Sequence, residues 1–157
     1  MAVKPIPEGY HSITPYLAVD DAEKAIEFYK DAFGADEVIR MPGPEGKIAH
    51  AELQIGDSKL MLSDPFPQSN VRPPSEVGGA TASVFMYVED VDATFEQAKK
   101  AGATVVSELE NMFWGDRFGT VSDPFGHVWS IATHIEDLTE EEMAERSRAA
   151  MAEMGSS

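Results

Sequence analysis

Tyr16-Leu-Ala-Val-Asp-Asp-Ala-Glu-Lys-Ala-Ile-Glu-Phe-Tyr-Lys-Asp-Ala-Phe-Gly-Ala35 lies over Phe85-Met-Tyr-Val-Glu-Asp-Val-Asp-Ala-Thr-Phe-Glu-Gln-Ala-Lys-Lys-Ala-Gly-Ala103 with a single gap, and this internal repeat decides the fold. Each copy opens on an apolar, β-branched or aromatic run, Ile13 to Val19 and Ser83 to Val88, which reads as a strand. Acidic residues follow, Asp20-Asp21 and Glu89-Asp90, whose side-chain oxygens suit a helix start. Apolar residues then recur at helical spacing: Ala22, Ile26, Tyr29 and Phe33 in one copy, Val91, Phe95, Ala98 and Ala101 in the other. Gly34 and Gly102 stand where each helix must end.

Outward from these helices, three further strands are expected in each half. The first half offers Asp36 to Met41, Lys47 to Ile55 and Lys59 to Ser63, parted by Pro42-Gly43-Pro44 and Gly56-Asp57. The second offers Thr104 to Leu109, Gly119 to Ser122 and His127 to Thr133, the last two joined by Asp123-Pro-Phe-Gly126. Both halves therefore read βαβββ, an α+β architecture of tandem modules over 13–64 and 82–134. The segment 65–81, rich in Pro, Gly and polar residues, reads as a connector. Thr139 followed by Glu142 makes a capping box that opens a C-terminal helix over 137–154, with Met143, Ser147, Ala150, Met151 and Met154 on one face. That face is expected to dock on the body or on a second subunit.

The composition narrows the chemistry. A chain of 157 residues with 43% apolar side chains suits one domain with a core. It has no cysteine, which removes disulfides, thiolate metal sites and thiol nucleophiles. The formal charge is -16, and 136–153 carries seven acidic residues against two arginines, so nucleic acid and anionic membranes are not expected partners. No apolar run approaches the roughly eighteen residues of a membrane span, and the start has no basic-then-apolar leader pattern, so a cytoplasmic location is expected. A phosphate loop ending in Lys-Ser/Thr, a Gly-x-Ser-x-Gly elbow and a His-Glu-x-x-His helix are all missing, which removes nucleotide hydrolysis and serine or zinc hydrolysis.

The tandem pattern, the strand-Asp-Asp-helix opening with Phe-Tyr-x-x-x-Phe-Gly, and Asp123-Pro-Phe-Gly-His127 before the last strand resemble the glyoxalase, bleomycin-resistance and dioxygenase (vicinal oxygen chelate, VOC) superfamily. Within it, His50-Ala-Glu-Leu, Met61-Leu-Ser-Asp64 and Trp114-Gly-Asp-Arg-Phe-Gly119 resemble the PhnB-like branch. The resemblance implies curved mixed sheets around a cavity, and usually a homodimer. It also implies four cavity positions where metal-using members carry His or carboxylate ligands, which fall here on Thr14, Ser63, Ser83 and Ser130. Neutral hydroxyls are poor ligands for such ions, so no metal and no other cofactor is expected.

Strand alternation predicts the lining of that cavity. Tyr16, Phe85 and Tyr87 share a face with Thr14 and Ser83; His50, Glu52 and Gln54 oppose the helix-facing Ala51 and Leu53; Met61 accompanies Ser63; and Ser130 belongs to the last strand. Trp114 and Phe118 offer rings to a flat ligand, and Arg117 offers a fork to a carboxylate or phosphate, unless it pairs with Asp116 or Asp123 while Trp114 closes the core. His50 and Glu52 are the catalytic candidates, a base with its orienting partner, against a purely structural histidine. His127 and Trp129 are expected to be structural, and His11 and His134 solvent-facing. Three functions follow: a small-molecule binder, an acid-base lyase or isomerase using His50 and Glu52, and a metal-dependent glyoxalase or dioxygenase with unusual ligands.

Overall fold

The computed structural model describes residues 2–155; residues 1, 156 and 157 of the expected domain lie outside the described residues. The first module comprises β1 (Tyr16–Ala18), α1 (Ala22–Phe33), β2 (Asp36–Pro42), β3 (Ile48–Ile55) and β4 (Ser58–Ser63). A short helix α2 (Pro74–Val77) interrupts the connector. The second module comprises β5 (Ser83–Tyr87), α3 (Val91–Ala101), β6 (Thr104–Asn111), β7 (Asp116–Ser122) and β8 (Val128–His134), and α4 (Glu140–Gly155) closes the chain.

The two modules have the same topology: sheet orders β1-β4-β3-β2 and β5-β8-β7-β6, with only the β1–β4 and β5–β8 pairs parallel. Asp21 and Asp90 cap their helices, each accepting an N–H three residues on, from Lys24 and Ala93, at 3.1 Å. Gly34 ends α1 with φ 66°, a backbone state that a side chain disfavours.

Two strand starts differ from expectation by three residues. β1 is only three residues long and begins at Tyr16, because Pro15 offers a carbonyl to Met61 but has no N–H with which to extend the ladder. Thr14 thus lies outside the strand. β7 begins three residues early, at Asp116, which converts the expected loop into pleated backbone with strict alternation.

Each helix packs on one face of its own sheet, and α1 packs on α3, so one core runs through both modules. α1 buries Ala22, Ala25, Ile26, Phe28, Tyr29 and Ala32, whereas α3 buries only Val91, Phe95 and Ala98. The asymmetry arises because α1 also serves the second module. Its Tyr29 and Phe33 rings lie 5.2 and 4.6 Å from that of Trp129 on β8. Asp123, in the β7–β8 turn, accepts the Tyr29 hydroxyl at 2.6 Å and the Trp129 indole N–H at 3.0 Å. His127 Nε2 meets the Ala18 carbonyl at 2.8 Å. The opposite face of each sheet is not covered by α1 or α3, and these two faces are called open below.

Candidate functional site

On the first open face, alternation along β3 sends Ala51 and Leu53, both fully buried, toward α1 and leaves His50 and Glu52 on the other side. Strand order brings Tyr16 across: Met61 of β4 is in register with Tyr16 on one side and Glu52 on the other. The result is a continuous chain, Tyr16 Oη to His50 Nδ1 at 3.0 Å and His50 Nε2 to Glu52 Oε2 at 2.7 Å. An ionised Glu52 only accepts, so in a neutral imidazole Nε2–H donates to Glu52 and Nδ1 accepts from the Tyr16 hydroxyl. Both ring nitrogens are then engaged. Tyr16, 41% exposed, is the most open member of the chain, and His50 is half-buried behind it.

Three neighbours alter the expected lining. Gln54 is occupied locally, its amide oxygen by Lys59 Nζ and its Nε2 by the Gly56 carbonyl at 2.8 Å, so it secures the β3–β4 turn. Ile39 and Met41, in register with Glu52 and His50, add exposed apolar surface to this face; the alternation of β2 was the signal for them. Ser63 is nearly buried.

The second open face is aromatic. Phe85 stacks on Phe118 at 5.6 Å and neighbours Tyr87 at 5.1 Å, and Trp114 meets Phe118 edge-on at 5.6 Å. Beneath the rings lies Asp116, 2% exposed, whose Oδ2 accepts Tyr87 Oη–H at 2.8 Å and Trp114 Nε1–H at 2.9 Å. Its Oδ1 contacts His134 Nδ1 at 2.9 Å, and His134 Nε2 reaches Asp137 at 2.8 Å. One buried carboxylate therefore fixes two rings. Burial pushes the Asp116 carboxyl up, but hydrogen bonds from His134, Tyr87 and Trp114 together outweigh it and hold it below the ordinary range. Hydrogen bonds to Asp116 and Asp137 raise His134.

A pH prediction follows from these signs. A raised histidine stabilises the fold fully below its unfolded value, and the contribution fades as pH rises through the folded value; the depressed Asp116 contributes above its unfolded value and loses it as pH falls. The pair works best between the two ranges. His134→Ala is expected to lower Tm more at about pH 5.5 than at about pH 9. An equal loss at both, in parallel thermal melts, contradicts a charged contact.

Several residues depart from expectation. Arg117 is turned out of the cavity face: with β7 starting at Asp116, it alternates to the helix side and binds Asp92 of α3 through two contacts of 2.9 Å. Neither Asp116 nor Asp123 is its partner. Trp114 belongs to the open face, not the core. His134 faces solvent as expected and also bridges two carboxylates, and nothing in the sequence separates Phe113, edge-on to Trp114 at 5.1 Å, from loop residues. Ser130 is nearly buried beside Thr120, 3.4 Å away. On α4, Met143, Ser147 and Ala150 are partly covered, while Met151 and Met154 are exposed.

The four positions where the fold implies metal ligands do not fit a divalent ion. They carry neutral hydroxyls, both His50 ring nitrogens are engaged within the face, and among the described residues no three His, Asp or Glu side chains are grouped to hold one. A groove of about 820 Å³ runs between the modules past Thr14, Phe33, Lys59, Val84 and Met86. It touches Phe85 and Tyr87 but not His50, Glu52 or Trp114.

A family model for the Glyoxalase/Bleomycin resistance protein/Dioxygenase superfamily matches residues 9–131. An uncharacterized protein of Mycobacterium bovis is 44% identical over 147 residues, covering 92% of this chain and 94% of that one. A lactoylglutathione lyase of Neisseria meningitidis serogroup B is 28% identical over 116 residues, 71% of this chain and 81% of the enzyme. Among solved structures, TioX from Micromonospora sp. ML1 superposes with a TM-score of 0.64 at 30% identity, covering 80% of this chain and 99% of TioX. A putative 3-demethylubiquinone-9 3-methyltransferase, PhnB protein, from Bacillus cereus gives 0.61 at 21% identity, over 78% and 99%, and supports the fold alone. The chain belongs to the glyoxalase, bleomycin-resistance and dioxygenase superfamily.

Proposed function

We propose that this superfamily member is a cytoplasmic homodimer that binds a small organic molecule on its open faces without the usual metal. The observation that carries the reading is the Asp116 cluster: exposed rings locked in place by a buried carboxylate are arranged for a ligand before it arrives. Tyr16, Ile39, Met41, Phe85 and Tyr87, between 37% and 61% exposed, form apolar faces of the kind that a ligand or a second chain covers. A partner presenting its own open face would close the cavity that one chain leaves open.

A thermal-shift screen of small organic molecules tests this. We expect a stoichiometric ligand that raises Tm, with binding lost in Phe85→Ala/Phe118→Ala and a mass of two chains by light scattering. Ligand-induced shifts of amide resonances confined to the groove between the modules sink it.

The Tyr16–His50–Glu52 chain favours a second reading, acid-base turnover of the bound molecule. Tyr16 Oη would meet the substrate and exchange its proton with His50 Nδ1, while Glu52 holds the ring. Tyr16→Phe and His50→Ala are then each expected to abolish turnover while the fold survives, and a fully active Tyr16→Phe protein removes Tyr16 from the chemistry.

A further inference from the structure

Across the four strands of the second module, the aromatic rings and the basic residues are kept apart. Phe85, Tyr87 and Phe118 lie on the open face, with Trp114 at its edge. The only Lys or Arg within β5 to β8 is Arg117, and it is held on the opposite face by Asp92. Arg146 of α4 comes near through the Phe113 carbonyl, but two of its guanidinium nitrogens are taken by Glu136.

Acidic groups, by contrast, surround the rings. Asp116 lies beneath them, Glu110 of β6 sits opposite Phe118 in register and is exposed, and Asp137 balances His134. Glu89 borders the shallow hollow shared by Tyr87 and His134. Aromatic faces carry a negative quadrupole and attract cations, and nearby carboxylates add to that attraction.

We infer that the open face of the second module selects a planar, positively charged ring system, stacked on Phe85 and Phe118 with its charge toward Glu110. The inference rests on the small-molecule reading above and names the chemical class that this face takes. A flat ring matches exposed rings that are already stacked, and a cation matches the sign of the charge around them. The carboxylate or phosphate that Arg117 was expected to receive is excluded from this face, because the fork points elsewhere.

Three flat probes of similar size separate the possibilities: 9-aminoacridinium, acridone and anthracene-2-sulfonate, titrated into the full chain. Quenching of Trp114 fluorescence reports binding, and Trp114→Phe isolates the signal of Trp129, which is 1% exposed. The cation is expected to bind at least about tenfold more tightly than acridone, the sulfonate most weakly, and the gap to narrow with added salt. Glu110→Gln, an exposed change that leaves the core alone, is expected to weaken only the cation several-fold. Equal binding of all three probes at Trp114, or a preference for the sulfonate, overturns the charge selection while leaving a small-molecule site in place. If none of the three quenches Trp114, the inference is wrong; the broader reading falls only if the open thermal-shift screen is also blank.

Discussion

Asp123→Ala is expected to destabilise the protein by about 3–5 kcal/mol, the largest effect of any single substitution considered. The Asp123 carboxylate is 5% exposed and accepts four hydrogen bonds, from the Phe125 and His127 backbone N–H groups at 2.9 Å each, from Tyr29 Oη at 2.6 Å and from Trp129 Nε1 at 3.0 Å. Alanine leaves three buried donors and one half-buried donor without their acceptor. Burial first and Asp123 second push the Tyr29 hydroxyl well above the ordinary tyrosine range, so it stays protonated and donates to Asp123. The contacts also join α1 of one module to β8 of the other, so the damage falls on the joint itself. Urea unfolding should show the midpoint falling sharply, with Tyr29→Phe, which removes one bond, costing only about 1–2 kcal/mol. A loss below about 1 kcal/mol for Asp123→Ala shows that the joint is held by ring packing alone.

Gly115→Ala is expected to cost about 2–4 kcal/mol and to abolish ring binding on the second open face. Gly115 has φ 100°, which side chains rarely adopt, and a Cβ there stands 2.4 Å from the Glu136 carbonyl oxygen. Its own carbonyl accepts N–H bonds from Ile135 and Glu136 at 2.9 and 3.1 Å. The strand end that leads to α4 is therefore laid directly on the turn that carries Trp114 and Asp116. Any methyl group pushes them apart and moves the carboxylate that positions Tyr87 and Trp114. Gly46→Ala is the control: φ is 75° but nothing lies within 4 Å, so only the backbone penalty of about 1 kcal/mol remains. Thermal melts of the two variants that agree to within a degree contradict the proposed clash.

Much of the candidate site was legible in advance, and the residues show where legibility ended. His50 and Glu52 were placed together because a strand repeats every two residues, and Phe118 because a ring beside glycines invites stacking. Arg117 was misplaced because the sequence reads as a loop up to Gly119, whereas β7 already starts at Asp116 and strand alternation there turns Arg117 to the side opposite Asp116 and Phe118. His134 looked featureless because its partner, Asp116, is 18 residues away and becomes its neighbour only through the register of β7 on β8.

By itself, the sequence determined the two βαβββ modules, their capped helices, the turns between strands and the hydroxyls at the four expected ligand positions. All of these are written in local spacing, over a few residues, where backbone geometry leaves few choices. Only the tertiary structure decided that Tyr16 completes the His50–Glu52 chain, that Asp116 ties Tyr87, Trp114 and His134 together, and that Asp123 joins the modules. Those contacts link strands, turns and helices far apart in the chain, and they exist only once sheet register and helix packing have been settled by burial of the shared core.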